Sequence, residues 1–167
     1  MTTSTPVFHA PGHDHARCEA DVIAEAEQVC GARGVRLTPI RRQVLALLVS
    51  GHRPIGAYEI MDRLAESGPR PAPITVYRSL DFLLENGLVH RIASRNAFLA
   101  CIQKHDASES VVFMICEQCG TVGEAPSTAV AATLREAAMQ AGFTPNIPLI
   151  EVSGVCAHCR ESEQKSG

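Results

Sequence analysis

No run of the chain approaches the roughly 18 consecutive apolar residues that a membrane-crossing helix needs. The opening residues also lack the apolar core of a secretory signal. A membrane or exported protein is therefore not expected. No HExxH stands anywhere, and no motif places a general base, so a zinc hydrolase is not expected and no small-molecule substrate is implied. No internal repeat exceeds a pair of short cysteine motifs. The cysteines are not even in number: there are seven. In a chain that is not exported, an odd set favours thiols or metal ligands over a disulfide framework.

What is present suffices for folding. The 167 residues allow one ordinary domain or two small ones, and 46% of them are hydrophobic. The net charge of −3 hides an asymmetry. Between Arg33 and Arg95 ten arginines face five acids, a balance of +5; from Ala97 to Gly167 four basic residues face eight acids, a balance of −4. A basic half beside an acidic one points to nucleic acid, although charged faces are commonly just solvated.

Residues 1–16, MTTSTPVFHAPGHDHA, carry no helical or strand period and read as a disordered tail. His9, His13, Asp14 and His15 within it read as solvated, because nothing there would order a metal site. Helical patterns fill 17–86. The first helix spans about 17–33, with Val22, Ile23, Ala26, Val29 and Cys30 on one side. The second starts with Thr38 as N-cap and Pro39 at the first helical position, where its missing N–H costs nothing. Ile40, Val44, Leu47 and Leu48 form its expected buried stripe, and Gly51 its end. A third helix, about 57–67, buries Ile60, Met61 and Leu64. In PRPAPITVYRSLDFLLENG the prolines keep the chain extended up to a helix start. Val76, Leu80, Leu83 and Leu84 then give that helix one apolar face, and Gly87 closes it.

Thr75, Tyr77, Arg78 and Asp81 point elsewhere, near the N-terminal end of that last helix. LVHRI and AFLAC, joined by ASRN, form a hairpin. Helices followed by a hairpin is the order of a winged helix-turn-helix, whose last helix enters the major groove with its N-terminal residues toward base edges. Tyr77 and Arg78 occupy that place. A helical bundle with Arg78 merely solvated is the alternative. Beyond it, SVVFMIC reads as a strand, STAVAATLREAAMQAG as a helix with Val130, Leu134, Ala137 and Ala138 inward, and NIPLIEVSGVC as another strand. The fold class is α+β. The expected division is a tail at 1–16, a winged-helix domain at 17–96, a small α/β domain at 97–160 and a tail at 161–167.

Cys116 and Cys119 are two residues apart in MICEQCG, and so are Cys156 and Cys159 in VCAHC, with 36 residues between the pairs. Two intervening residues let both sulfurs of a tight turn face one point, about 2.3 Å from a common ion, and two such turns complete a tetrahedron. Four thiolates with no open position suit structural zinc. The alternative is two unrelated redox pairs. Against it, Gly120 and TVGE follow Cys119 rather than the helix of a thioredoxin-like site. A second donor set, His90, Cys101, His105, Glu109 and Glu124, surrounds the hairpin and the next strand. A mixed nitrogen, sulfur and oxygen site spanning a domain junction can fill and empty with free zinc and fix the angle between the halves. The plain alternatives are a hairpin histidine, a small buried cysteine and a surface carboxylate. Cys18 and Cys30 read as ordinary first-helix cysteines; a thiol switch pairing one of them with Cys101 is a further alternative.

RLTPIRRQVL, ITVYRSLDFLLENGLVHRI, FLAC, FMICEQCGTVGE and VCAHC together resemble the ferric uptake regulator family from about Cys18 to Arg160. Within the family they look closest to its zinc-sensing branch. The resemblance implies a cytoplasmic homodimer with an N-terminal winged helix and a C-terminal α/β dimerisation domain. It implies binding to an AT-rich inverted repeat in double-stranded DNA and repression of zinc-uptake genes. Two zinc ions per subunit are implied. Cys116, Cys119, Cys156 and Cys159 match the structural site; His90, Cys101 and Glu124 match the regulatory one. Tyr58 and Arg78 match residues that read purines. Thr75 and Tyr77 are expected beside them, with Arg36, Arg41, Arg42 and Arg95 on phosphates. The zinc branch usually has a histidine eight residues after Cys101, where this chain has Glu109; His105 lies four residues earlier. His105 is the expected fourth regulatory ligand, imidazole being the better zinc donor, with Glu109 as its substitute. Sibling sensors of iron, manganese or peroxide are the alternative.

Overall fold

The protein is described from a computed structural model, at residues 8, 15–51, 53–101, 110–146 and 149–165. The chain divides into two compact units, one of Pro11–Ile102 and one of Met1–Ala10 with Gln103–Gly167. No described helix is long and apolar enough to cross a membrane. His9, His13 and Asp14 lie outside the described residues, and His15 opens the first helix.

The first unit holds α1 (His15–Ala32), α2 (Pro39–Val49), α3 (Ala57–Ala65), α4 (Pro73–Glu85), β1 (Val89–Ile92) and β2 (Ala97–Ala100). α1 buries the expected Val22, Ile23, Ala26 and Cys30. In α2, Pro39 stands in the first turn after an extended Thr38, whose side chain makes no capping bond. The buried stripe of α2 is Val44, Leu45, Leu48 and Val49. Ile40 and Leu47 lie at its margin, packed against the core. The expected stripe is therefore rotated, because α2 is flanked by both α1 and α4 and so buries two adjoining faces.

α4 buries Val76, Ser79, Leu80 and Leu83, with Leu84 at the margin. Gly87 ends it at φ +69°. Its N–H donates to Leu84 O at 3.0 Å, and that of Leu88 to Leu83 O at 2.9 Å. This left-handed cap turns the chain directly into the hairpin, at little steric cost to a residue without Cβ. β1 and β2 pair antiparallel, with Val89 opposite Ala100 and Ile92 opposite Ala97. A short 3-10 turn, Ala93–Arg95, and a left-handed Asn96 connect them. Ile55, ahead of α3, adds an antiparallel bridge to Phe98, with both N–H···O distances 2.9 Å. That third rung rests on a single residue and leaves no alternating pattern to read. Since β2 pairs with β1, both hairpin strands belong to this unit, and the division falls after Ile102 rather than at residue 96.

The second unit carries β3 (Val111–Cys116), β4 (Val122–Pro126), α5 (Thr128–Gln140), β5 (Leu149–Gly154) and α6 (Ala157–Lys165). The sheet order is β4-β3-β5, with β3 antiparallel to β4 and parallel to β5. Phe113, fully buried, lies at the centre of the middle strand. β4 and α6 are additions to the strand–helix–strand expectation. β4 is short and contains a glycine and a proline, and α6 is mostly polar, so neither carries a periodic apolar signal. α5 corrects a further expectation. Val130 and Leu134 are exposed at 47% and 45%, Ala137 is exposed, Ala138 is half-buried, and Ala131 is the buried residue of the helix. An apolar stripe says that a face seeks cover but not which element supplies it. Met139, Phe143 and Val152 extend the exposed apolar surface of this unit.

Replacing Leu80, at the buried centre of α4, by alanine is expected to destabilise the first unit by about 2–5 kcal/mol. A lowered urea midpoint with unchanged slope checks this.

Candidate metal centres and nucleic-acid interface

β3 delivers Cys116 at its last position, and the turn that leads into β4 delivers Cys119. Gly120 shapes that turn at φ +74°, and its N–H donates to Cys116 O at 3.0 Å. Cys116 N–H donates to Thr121 O at 3.0 Å, and Glu117 N–H reaches Gly154 O at the end of β5 at 2.8 Å. The second pair arrives from the other side of the sheet. Cys156 follows β5, and Cys159 lies in the first turn of α6.

The four sulfurs all lie within 4.8 Å of one another. Cys116 and Cys159 are 3.8 Å apart, and Cys119 and Cys156 are 3.9 Å apart. A disulfide needs about 2.0 Å. A tetrahedron with 2.3 Å metal–sulfur arms has edges of about 3.8 Å. Both of these approaches join one motif to the other, which fits one shared centre and not two separate redox pairs.

The electrostatics agree. Burial pushes the Cys116 thiol up, but backbone N–H groups of Cys119, Cys156 and Gln118 outweigh it and bring it down to about 6. The Cys156 N–H stands 3.4 Å from that sulfur. Burial likewise raises Cys119, and Thr121 outweighs it through its hydroxyl and its N–H, leaving Cys119 below its ordinary value. Cys159 is pushed up to about 12 by burial and by the crowding sulfurs of Cys156, Cys119 and Cys116. Four crowded thiols oppose one another's ionisation. A divalent cation among them removes that opposition, because coordinating thiols are deprotonated outright. The donor set is all sulfur, and its 3.8 and 3.9 Å cross-motif edges match those of a zinc tetrahedron, so it fits structural zinc.

Of the second donor set, His90 lies on β1 opposite Leu99, and Cys101 directly follows β2. Cys101 N–H donates to Leu88 O at 3.0 Å, which keeps it in register with the hairpin. The hairpin brings the metal-binding atoms of His90 and Cys101 within 4.8 Å of each other. Glu124 belongs to the second unit. It lies on β4 opposite Phe113 and is buried. His105 and Glu109 lie outside the described residues.

Tyr58 stands in the first turn of α3 and is 68% exposed. Near the start of α4, Tyr77 and Arg78 are exposed and Thr75 is half-buried. Thr75 O accepts from Ser79 Oγ at 2.8 Å, an internal bond of the helix. The arginines divide into two groups. Among the described residues, the side chains of Arg36, Arg78 and Arg95 have no ion pair or hydrogen bond, and Arg53, which sequence reasoning passed over, is equally unpaired and exposed. Arg41 and Arg42, expected on phosphates, each have a partner within the chain. Arg42 pairs with Glu27 of α1, both side chains about half exposed, so the pair holds little energy and exchanges readily. Arg41 is committed more firmly: its guanidinium lies 3.5 Å from the Phe82 ring centroid and donates to Arg36 O at 2.7 Å.

A family model described as the ferric uptake regulator family matches residues 32–152. The zinc uptake regulation protein of Escherichia coli (strain K12) is 39% identical over 143 residues, spanning 86% of this chain and 84% of that protein. The solved structure of a zinc uptake regulator complexed with zinc and DNA is 38% identical with a TM-score of 0.79, covering 87% of this chain and 97% of that one. The crystal structure of holo XcZur is 43% identical with a TM-score of 0.74, covering 86% and 99%.

Replacing Cys116 by serine is expected to release the structural metal and lower the melting temperature of the second unit. Metal analysis of the dialysed variant, beside a thermal melt, checks this; a full metal complement would count against the four-sulfur centre.

Proposed function

The chain belongs to the ferric uptake regulator family, and we propose that it is a zinc-responsive transcriptional repressor that binds a palindromic, AT-rich operator as a zinc-loaded homodimer and silences zinc-uptake genes. It is a regulator and not an enzyme. The observation that carries this reading is the presence in one chain of a closed four-thiolate centre and an exposed Tyr77–Arg78 pair opening α4. Similarity to zinc- and DNA-bound regulators over most of its length supports it. As a DNA binder it works in the cytoplasm.

Each part has a role that follows from its chemistry. Cys116, Cys119, Cys156 and Cys159 would hold a structural zinc that keeps the second unit folded. His90 and Cys101 from the hairpin, with Glu124 from β4 and His105 as fourth ligand (or Glu109 in its place), would hold the regulatory zinc. Imidazole, thiolate and carboxylate together are a donor set that zinc accepts, and a site drawing on both units differs in affinity between their arrangements. That difference is all that can drive the switch: zinc favours whichever arrangement binds it more tightly. Without it the units order only on DNA, and the entropy lost then weakens binding. The exposed apolar surface of α5 and β5, Val130, Leu134, Met139 and Val152, is suited to the second copy. Two α4 helices on one dimer match an inverted repeat. Tyr58 and Arg78 would read bases, Arg78 through guanine O6 and N7. Thr75 and Tyr77 would flank them, and Arg36, Arg42 and Arg95 would touch phosphates.

A gel-shift titration in buffered zinc tests the switch. Affinity for a selected duplex is expected to rise between chelated and micromolar zinc; an unchanged affinity would sink the sensing idea. Arg78→Ala is expected to lose about 1–3 kcal/mol on the preferred sequence and much less on others. An equal loss on every sequence would show that Arg78 touches only phosphate.

A further inference from the structure

We propose that Arg41 is a positioning residue for DNA recognition: stacked on Phe82 and tied to the segment ahead of α2, it sets the rotation of α4 and does not itself touch DNA. The inference rests on the DNA-binding reading above.

α4 buries one face, chiefly through Val76, Leu80 and Leu83. That apolar stripe turns one face of α4 inward and so sets its rotation coarsely. A contact on the flank narrows the rotation further, and Phe82, partly buried at the core margin, supplies one. The Arg41 guanidinium lies over its ring at 3.5 Å. A planar cation over an aromatic face is held by the ring quadrupole, and more strongly when partly desolvated. Arg41 is half-buried, and its second hold, the 2.7 Å bond from Nη1 to Arg36 O, anchors the guanidinium to the backbone just before α2. Its charge is also felt at α1. Burial pushes the Cys30 thiol up, and the charges of Arg41 and Arg33 act against that push.

Phe82 and Arg78 are four positions apart on α4 and so share one face, a turn apart. A rotation that moved Phe82 would carry Arg78 with it. Recognition constellations tolerate only about 0.5 Å or 10–20° of misplacement. The contact with Phe82 therefore acts on base reading through Arg78, one helical turn away. Arg36, Arg78 and Arg95, by contrast, present exposed side chains with no ion pair or hydrogen bond among the described residues, which leaves their guanidinium groups available to DNA. Lysine cannot take over this role, because a compact ammonium does not stack on the ring and reach the Arg36 carbonyl in one geometry.

The test uses the zinc-loaded full chain, a duplex enriched by the wild type from a random-sequence pool, and a shuffled duplex of the same composition. Arg41→Lys is expected to weaken binding to the enriched duplex about tenfold. Binding to the shuffled duplex and the salt dependence of both should stay as in the wild type. Phe82→Leu should act in the same direction, and the double variant should be no worse than either single one, as expected of one shared contact. Wild-type binding by Arg41→Lys would overturn the proposal, since lysine serves a phosphate as well. So would equal losses on both duplexes, or a fall of about 0.9 per contact in the slope of log affinity against log salt for Arg41→Met. A lowered melting temperature with an unchanged ratio between the duplexes would also overturn it, showing a purely structural role. An upfield ring-current shift of the Arg41 δ-protons, lost in Phe82→Leu, reports the stacking without DNA. If the wild type enriches no duplex, the repressor reading fails and the recognition role with it, while that shift still reports whether the contact exists.

Discussion

Four sulfur atoms brought within 4.8 Å of one another are the constraint on which the second unit depends. Thiols that close cannot all ionise alone, and the opposite pulls on Cys116 and Cys159 record that conflict. The conflict is placed where the backbone most needs a tie. On one side is the turn between β3 and β4; on the other is the passage from β5 into α6. The main-chain bond from Glu117 to Gly154 and the cap from Cys156 N–H to the Cys116 sulfur join the same two corners. A metal there would close a three-stranded sheet that is otherwise small. Such a unit has little core of its own, and metal binding free energy becomes folding free energy.

The first unit is stabilised differently. It has a continuous apolar core reaching from Val22 through α2, α3 and α4 to Ala100. Its device is the sequence of tight connections that deliver α4. Prolines bring the chain extended to the helix start, and the left-handed cap at Gly87 turns it straight into the hairpin. The hairpin then places His90 and Cys101 side by side. The helix proposed to face DNA and the strands that bring His90 and Cys101 together are thus consecutive in the chain, so little backbone separates them.

Much of this was legible in the residues. Spaced CxxC pairs declare their chemistry because few arrangements other than a shared ion need two such turns. The helices of the first unit were legible because apolar periods, prolines and glycines agree there. Three kinds of feature were not. β4 and α6 are too short or too polar to carry a period, yet β4 holds Glu124 and α6 holds Cys159. The cover over α5 was unreadable because Val130 and Leu134 advertise an apolar face without naming what meets it. The division of the arginines was hidden as well. Arg36, Arg41 and Arg42 look alike in RLTPIRRQ, and only tertiary placement puts Arg41 over Phe82 and Arg42 beside Glu27.

The order of the ligands along the chain sets a clock. Cys119 and its cross-motif neighbour Cys156 are 37 positions apart, and Cys116 and Cys159 are 43 apart. At roughly 5–20 residues per second of synthesis, the first two thiols wait about 2–9 seconds for their partners to be made. Through that interval a four-sulfur centre cannot close, and a thiol oxidised or captured by another metal before its partners are made is lost to it. The quality of the finished protein depends on the redox state and metal traffic around the ribosome, not only on those around the operator.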